Sequence, residues 1–255
     1  MEYIHAIILG IVEGVTEFLP ISSTGHLILT SHLLNLPQTD FQKTFEISIQ
    51  LGAIMAVVVL YWRSLLTNWK TIKRIAIAFV PTAVLGLVFY KLIKQFMESP
   101  QIVLWSLLVG GLLLVLFEWW HKEHEEAESD ISNLSYKKAF IIGLFQSVAM
   151  IPGVSRAAAT ICGGLLLGLK RKTIVEFSFL LAVPTMAAAT GLDLIKNASS
   201  FSSDQFGILG VGLIVSFVVA VLAIKFLLRF IQNHTFTGFG IYRIILALGF
   251  WFLII

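Results

Sequence analysis

Glu17–His26 reads EFLPISSTGH and lies within a mainly apolar run over residues 3–34. A continuous helix cannot pass through it. Pro20 has no amide proton and crowds the preceding turn, and Ser22, Ser23, Thr24 and Gly25 supply turn chemistry directly after it. The apolar pieces on either side are each too short to cross a bilayer, which takes about 20 residues. Lipid cannot satisfy the backbone groups freed by such a break, so it must be buried in protein or line a cavity. Residues 3–34 therefore read as a re-entrant helical hairpin. A second interrupted stretch, 139–169, carries Gln146 and Ile151–Arg156 (IPGVSR) and reads the same way.

Around these two breaks the chain is strongly apolar. Of its 255 residues, 57% are hydrophobic and 13% charged, whereas soluble domains carry about a quarter charged residues. A net charge of +3 is too small and dispersed for a nucleic-acid footprint. Cys162 is the single cysteine, so no disulfide can form within the chain. The N-terminus lacks a basic flank and small-residue cleavage site and reads as retained. Six stretches are candidates to span a membrane: 45–62, 75–93, 102–120, 174–195, 206–231 and 239–255. The fold class is thus an all-α polytopic membrane protein, one membrane domain over 1–255.

The halves resemble each other. Gly10-x-x-Glu13 matches Gly143-x-x-Gln146, Pro20-x-x-Ser23 matches Pro152-x-x-Ser155, and Glu46-x-Ser48 matches Glu176-x-Ser178, in that order along the chain. Residues 1–120 and 139–255 each read as one hairpin followed by three spans, with 121–138 as a polar connecting loop. Three crossings is an odd number, so the repeats have inverted topology and their hairpins approach from opposite faces. Arg63, Lys70, Lys73, Arg74, Lys170–Lys172, Lys225 and Arg229 then share one side, taken as cytoplasmic. Within the loop, the mixed charge around His121 and His124 suits a solvated segment better than a metal site.

The breaks hold the residues that can do chemistry. Glu13 and Glu17 are four apart, on one helical face. Such a pair suits a divalent cation, a division into base and ligand, or a helix whose face is wet. Among Ser22, Ser23 and Thr24, one hydroxyl should cap the helix starting near Gly25, and another is free to act as a nucleophile at that helix end. His26 suits a base, an acid or a phosphate ligand, and equally a satisfied core position. Arg156, inside an apolar hairpin, needs an anion. It can pair with Glu13, Glu17, Glu46 or Glu176, or its planar fork can hold a phosphate, helped by Ser155 and Thr160. Glu46, Gln50 and Glu176 suit fastening of the hairpins to the neighbouring spans. Gly110 and Gly111, Gly164-x-x-x-Gly168 and Ala187–Ala189 read as helix-packing faces. Carboxylates, hydroxyls, histidine and arginine converging in a membrane suit phosphoryl transfer, where charge neutralisation and positioning do most of the work.

At these motifs the sequence resembles the bacterial undecaprenyl-pyrophosphate phosphatases, also known as bacitracin-resistance proteins. The signature E-G-x-T-E-F-L-P-x-S-S-T-G-H is met by Glu13–His26, and P-G-x-S-R-S-x-x-T by Pro152–Thr160. Phe45–Gly52 and Glu176–Pro184 add support. The chain departs from the pattern at Ala157, where serine is usual, and at Ala158, where glycine is usual. The resemblance implies hydrolysis of undecaprenyl pyrophosphate to the monophosphate and inorganic phosphate, recycling the carrier lipid for peptidoglycan synthesis. It also implies a divalent cation, magnesium or calcium, an extracytoplasmic active site in the inner membrane, and a homodimer. By the same resemblance Glu13 and Glu17 form the acidic motif, Ser23 is the nucleophile, His26 is essential, and Arg156 binds phosphate. Ser23 attack and direct activation of water both remain open. So does a second class, a transporter or flippase for an anionic lipid, because inverted repeats with midplane hairpins are a transport architecture.

Overall fold

A computed structural model of the chain describes residues 1–37, 39–97, 99–123, 126–197 and 203–254. The described residues form eleven α-helices and one short 3-10 turn. The first half comprises α1 (Tyr3–Thr16), α2 (Ser23–Leu33), α3 (Asp40–Leu66), α4 (Trp69–Val88), α5 (Tyr90–Met97) and α6 (Pro100–Trp120). After the turn Ile131–Asn133 come α7 (Tyr136–Val148), α8 (Arg156–Leu166), α9 (Arg171–Asn197), α10 (Ser203–Phe230) and α11 (Thr237–Ile254).

Five helices are long and apolar enough to cross a bilayer, over Phe41–Leu66, Trp69–Val88, Pro100–Trp120, Arg171–Gly191 and Gln205–Phe230. The stretch read as a sixth span, 239–255, is helical but shorter: α11 has 18 residues, about 27 Å at the usual rise. The span read over 75–93 is divided. Its helix starts earlier, at Trp69, stops at the cap residue Phe89, and is followed by the separate short helix α5. The outer surface is that of a membrane protein. Leu87 is 71% exposed, Trp119 84% and Phe252 86%, and lipid rather than water is the solvent that tolerates them.

Between helices in lipid there is little hydrophobic driving force, so close packing has to hold them. Small residues provide it. A Cβ at Gly143 of α7 would collide with the Ala78 backbone of α4, and one at Gly52 of α3 with Leu213 of α10. On α1, Gly10 lies against Gly212 and Val215, and Gly14 against Ser216 and Val219. The pairing rises along both chains together, so α1 and α10 run parallel. Tyr136 of α7 lies under Arg74, Gly143 of α7 against Ala78, and Met150, just past the end of α7, near Gly86, so α7 and α4 also run parallel. Each helix-break-helix unit thus leans on the second span of the other half. In contrast, α3 and α9 are antiparallel, with Thr190 donating to the Ile47 carbonyl at one end (3.3 Å) and Tyr61 against Phe179 at the other (6.4 Å). The α6 and α11 pair is antiparallel too: Trp105 meets Trp251 and Gly111 meets Gly240. These relations are consistent with two inverted halves.

The main core lies where the breaks meet. Phe18, Leu19 and Ile21 of the first break pack with Ala157 and Ile161 of α8, Phe177 and Phe179 of α9, and Ala220 of α10. At one end of the bundle the bidentate Arg171–Glu118 ion pair is mostly buried, and Glu118 also accepts from the Phe236 amide at 3.2 Å. That carboxylate ties α6, α9 and the start of α11 together.

Candidate active site

Both breaks are built by the same device. In the first, α1 ends at Thr16 and the chain turns through Pro20 to Ser22, which stands at φ 72° and ψ 93°. The Ser22 side chain accepts from the Gly25 amide at 3.4 Å and so caps α2. In the second, the chain turns through Gly153, at φ +91°, to Ser155 at φ 75° and ψ 112°. The Ser155 hydroxyl accepts from the Ala158 amide at 3.2 Å and caps α8. A Cβ at position 153 would come within 2.7 Å of the Val103 carbonyl oxygen, so glycine is required there for both conformation and space. A serine held at positive φ costs on the order of 1–3 kcal/mol and persists only where its surroundings over-determine it.

The second break delivers Arg156 to the first. Its Nη2 donates to Glu17 Oε1 at 3.1 Å, and its Nη1 to the Ser178 carbonyl at 2.8 Å. The guanidinium carbon lies 5.9 Å from the centre of the Phe18 ring. The other oxygen of Glu17, Oε2, accepts from the Ser23 hydroxyl at 2.5 Å. Serine, carboxylate and guanidinium are thus in one line, with Glu17 at the centre and 3% of its side chain exposed. A pair buried this far gives up hydration on both charges, so each member depends on the other. Arg156 Nε has no partner among the described residues, which leaves a donor for a further anion.

Glu13 is fully buried one turn before Glu17, and among the described residues no N–H or O–H donor reaches its carboxylate oxygens, the Glu17 carboxyl being the group within hydrogen-bonding reach. The charges that reach it are those of Glu17, Arg156 and Glu46. The two carboxylates lie one turn apart, and the donor-free oxygens of Glu13 suit a hard divalent cation that completes its shell with Glu17, water and substrate phosphate oxygens. Among the described residues no group of three or more His, Cys, Asp or Glu side chains converges, so an all-protein cage is not built here. His121 stacks on Phe117 at 5.0 Å between ring centres, and His124 lies outside the described residues.

His26 points elsewhere than to Ser23. Its Nδ1 is 2.7 Å from the Ser22 carbonyl and must donate to it; its Nε2 is 2.8 Å from the Tyr242 hydroxyl, which donates to it when the ring is neutral. The two rings stack at 5.5 Å. Thr160 spends its hydroxyl on the Arg156 carbonyl at 2.8 Å, within its own helix rather than toward a ligand. Thr24 is half-buried in the first turn of α2. Glu46 Oε1 accepts from Ser31 at 2.6 Å and Gln42 at 2.8 Å, joining α2 to α3. Gln50 follows half-buried one turn on, and Glu176, half-buried on α9 with Lys172 as its nearest charge, makes no ion pair among the described residues.

Sequence reasoning overlooked two residues of α11, Tyr242 and Arg243. Arg243 is completely buried and donates to the Pro20, Ser106, Gly153 and Val154 carbonyls. The rule that singled out Arg156, an arginine inside an apolar helix, applies equally to it. Tyr242 carried no such signal.

Comparison with known proteins finds relatives over nearly the whole chain. An undecaprenyl-diphosphatase of Sulfurihydrogenibium sp. is 57% identical over 97% of the chain and 98% of its own length. Those of Persephonella marina and Aquifex aeolicus are 56% and 51% identical, over 100% and 96% of the chain and 99% and 95% of their own lengths. The family model for bacitracin resistance protein BacA matches residues 6–249. With that match spanning both breaks and every helix between them, the chain belongs to the BacA bacitracin-resistance family.

Proposed function

We propose that this chain is an undecaprenyl-diphosphatase, a membrane hydrolase that cleaves undecaprenyl pyrophosphate to undecaprenyl phosphate and inorganic phosphate. Relatives between 51% and 57% identical over nearly the whole chain carry that name. The product monophosphate is the carrier lipid of peptidoglycan synthesis, and bacitracin resistance fits the family description. The observation that carries the reading to individual residues is the Ser23–Glu17–Arg156 line, with a hydroxyl 2.5 Å from a carboxylate and that carboxylate 3.1 Å from a guanidinium.

In this mechanism the pyrophosphate takes the place of Glu17 as the anion on Arg156, whose free Nε adds a donor. The Ser23 oxygen attacks the terminal phosphorus in line, its proton passing to Glu17 Oε2. The bond from that phosphorus to the bridging oxygen breaks, and undecaprenyl phosphate leaves. Water then attacks the phosphoserine, inorganic phosphate departs, and the serine oxygen regains a proton. His26 has its two ring nitrogens on Ser22 and Tyr242, which favours Glu17 over His26 as the group that takes the Ser23 proton. Glu13 and Glu17 would hold a magnesium or calcium ion, which when bound supplies positive charge to the pyrophosphate oxygens. Ser155 and Ser22 serve as caps that shape the two phosphate-facing helix ends, and Ala157 leaves the capping of α8 to Ser155.

The same reading puts the protein in the bacterial inner membrane as two inverted repeats, with the site open to the extracytoplasmic side. The basic residues Arg63, Lys70, Lys73 and Lys172 support that orientation. A second copy of the chain is a partner by family resemblance alone.

The test is phosphate release by purified protein given a polyprenyl pyrophosphate and magnesium. Wild type should release inorganic phosphate, and Ser23→Ala should fall by ~1,000-fold or more if a covalent serine intermediate is formed. Tight binding without release by wild type would overturn the hydrolase reading and favour lipid transport. Substantial turnover by Ser23→Ala would overturn the phosphoserine step and leave water activated by Glu17.

A further inference from the structure

Arg243 is the largest completely buried side chain among the described residues, and it sits in an apolar helix without any motif. Its partners are unusual for a cation. Nη1 donates to the Val154 carbonyl at 3.0 Å and the Pro20 carbonyl at 3.4 Å; Nη2 donates to the Gly153 carbonyl at 2.9 Å and the Ser106 carbonyl at 3.0 Å. Every one is a backbone carbonyl, and no carboxylate forms an ion pair with it among the described residues. Pro20 belongs to the first break, Gly153 and Val154 to the second, and Ser106 to α6. One guanidinium therefore holds both breaks to each other and to the scaffold.

The surroundings are shaped for it. Gly110 of α6 faces the guanidinium, and a Cβ there would overlap it. Gly111 lets α6 and α11 approach, with the Gly240 carbonyl 2.8 Å from where its Cβ would be. The held carbonyls also lie just before the two strained serines: Val154 immediately precedes Ser155, and Pro20 is two residues before Ser22. Those serines start the helices that carry Ser23 and Arg156. Fixing the carbonyls on one rigid, planar group fixes the separation of the breaks, and with it the Arg156–Glu17 distance. A lysine in the same place has one nitrogen and cannot span four carbonyls from three segments.

We infer that Arg243 is a positioning residue for the phosphoryl-transfer site: it clamps the two breaks in register and aligns Arg156 against Glu17 and Ser23 without touching substrate. The inference rests on the phosphatase reading for its effect on turnover but not for its effect on geometry. A site misaligned by about 1 Å loses ~100-fold in rate.

The experiment uses Arg243→Lys and, as a milder perturbation from the opposite helix, Gly110→Ala, which displaces the guanidinium without removing it. Both are compared with wild type in detergent as folded, monodisperse protein. The kcat for polyprenyl pyrophosphate should fall ~100-fold in Arg243→Lys, and less in Gly110→Ala, with KM little changed. In parallel, spin labels at Leu33→Cys and Leu166→Cys, at the exposed ends of α2 and α8, are placed in a Cys162→Ser background. The distance distribution between them should broaden or shift when Arg243 is replaced or displaced. A kcat within threefold of wild type, a loss of turnover matched by the loss of folded protein, or an unchanged distance distribution would each overturn the inference. If wild type itself releases no phosphate, the phosphatase reading fails, and the distance distributions alone then decide whether Arg243 clamps the breaks.

Discussion

At the scale of single residues, Glu17 is the hub. Its two oxygens face different partners, Ser23 on its own break and Arg156 on the other. Replacing it with glutamine keeps the shape and removes the charge. Arg156 is then left buried against a neutral amide, and Ser23 loses its proton acceptor. The caps make a second prediction. Ser155 is both an N-cap and a residue at φ 75°, so alanine there loses the capping bond and keeps the strain, a cost of about 1–2 kcal/mol. Glycine also loses the side-chain bond, but it adopts positive φ freely. Thermal unfolding in detergent should therefore place Ser155→Gly above Ser155→Ala; the reverse order would mean that the backbone there is not strained. Tyr242→Phe removes the hydroxyl on His26 Nε2 while keeping the stacked ring. The kcat should fall ~10-fold or more with normal folding, since a positioned acid or base contributes about 100-fold or more. Unchanged turnover would make that hydrogen bond incidental.

At the scale of elements, small residues and one buried ion pair carry the burden. Gly143→Ala would drive a methyl group into the Ala78 backbone, which cannot step aside as a side chain can. Overpacking of this kind costs about 1–3 kcal/mol, and it should appear as a lower unfolding temperature with α7 loosened from α4. Glu118→Gln leaves Arg171 mostly buried without its bidentate partner, a loss of about 3–5 kcal/mol when one member of a buried pair is removed. An unfolding temperature equal to wild type would show that Arg171 finds water instead. The helices that matter most here were legible in the sequence. Pro20 and Pro152 sit beside runs of small polar residues, and that chemistry alone places both breaks. Other boundaries were less so. The stop at Phe89 has no glycine or proline to mark it, and the start of α3 at Asp40 depends on the Thr39 cap, whose hydroxyl accepts from the Gln42 amide at 3.2 Å.

At the scale of the whole molecule, the candidate site is joined from two similar units, with Arg156 of one in contact with Glu17 of the other. The first unit offers carboxylates and a hydroxyl; the second offers a guanidinium, Arg156, at the helix position where the first has Ser23. Motif matches in the same order suggested the kinship of the halves, and the sequence supplied the inventory of each. It did not reveal which carboxylate Arg156 would choose among Glu13, Glu17, Glu46 and Glu176, because that choice depends on how α1 lies along α10 and α7 along α4. Nor did it reveal what α11 contributes: the stretch 239–255 reads as a span, but its Tyr242 and Arg243 reach the first break across more than 200 residues of chain. Contacts at that separation leave no local pattern, although a buried arginine in an apolar helix is itself a signal. In the proposed phosphatase one active site is assembled from both breaks. A double-mutant cycle on phosphate release tests it most directly, with Glu17→Gln and Arg156→Ala measured singly and together. If the two residues act as a unit, each single change should cost nearly as much as the pair, with a coupling energy of about 1–3 kcal/mol or more. Losses that simply multiply would show that the two breaks act independently and would contradict the account.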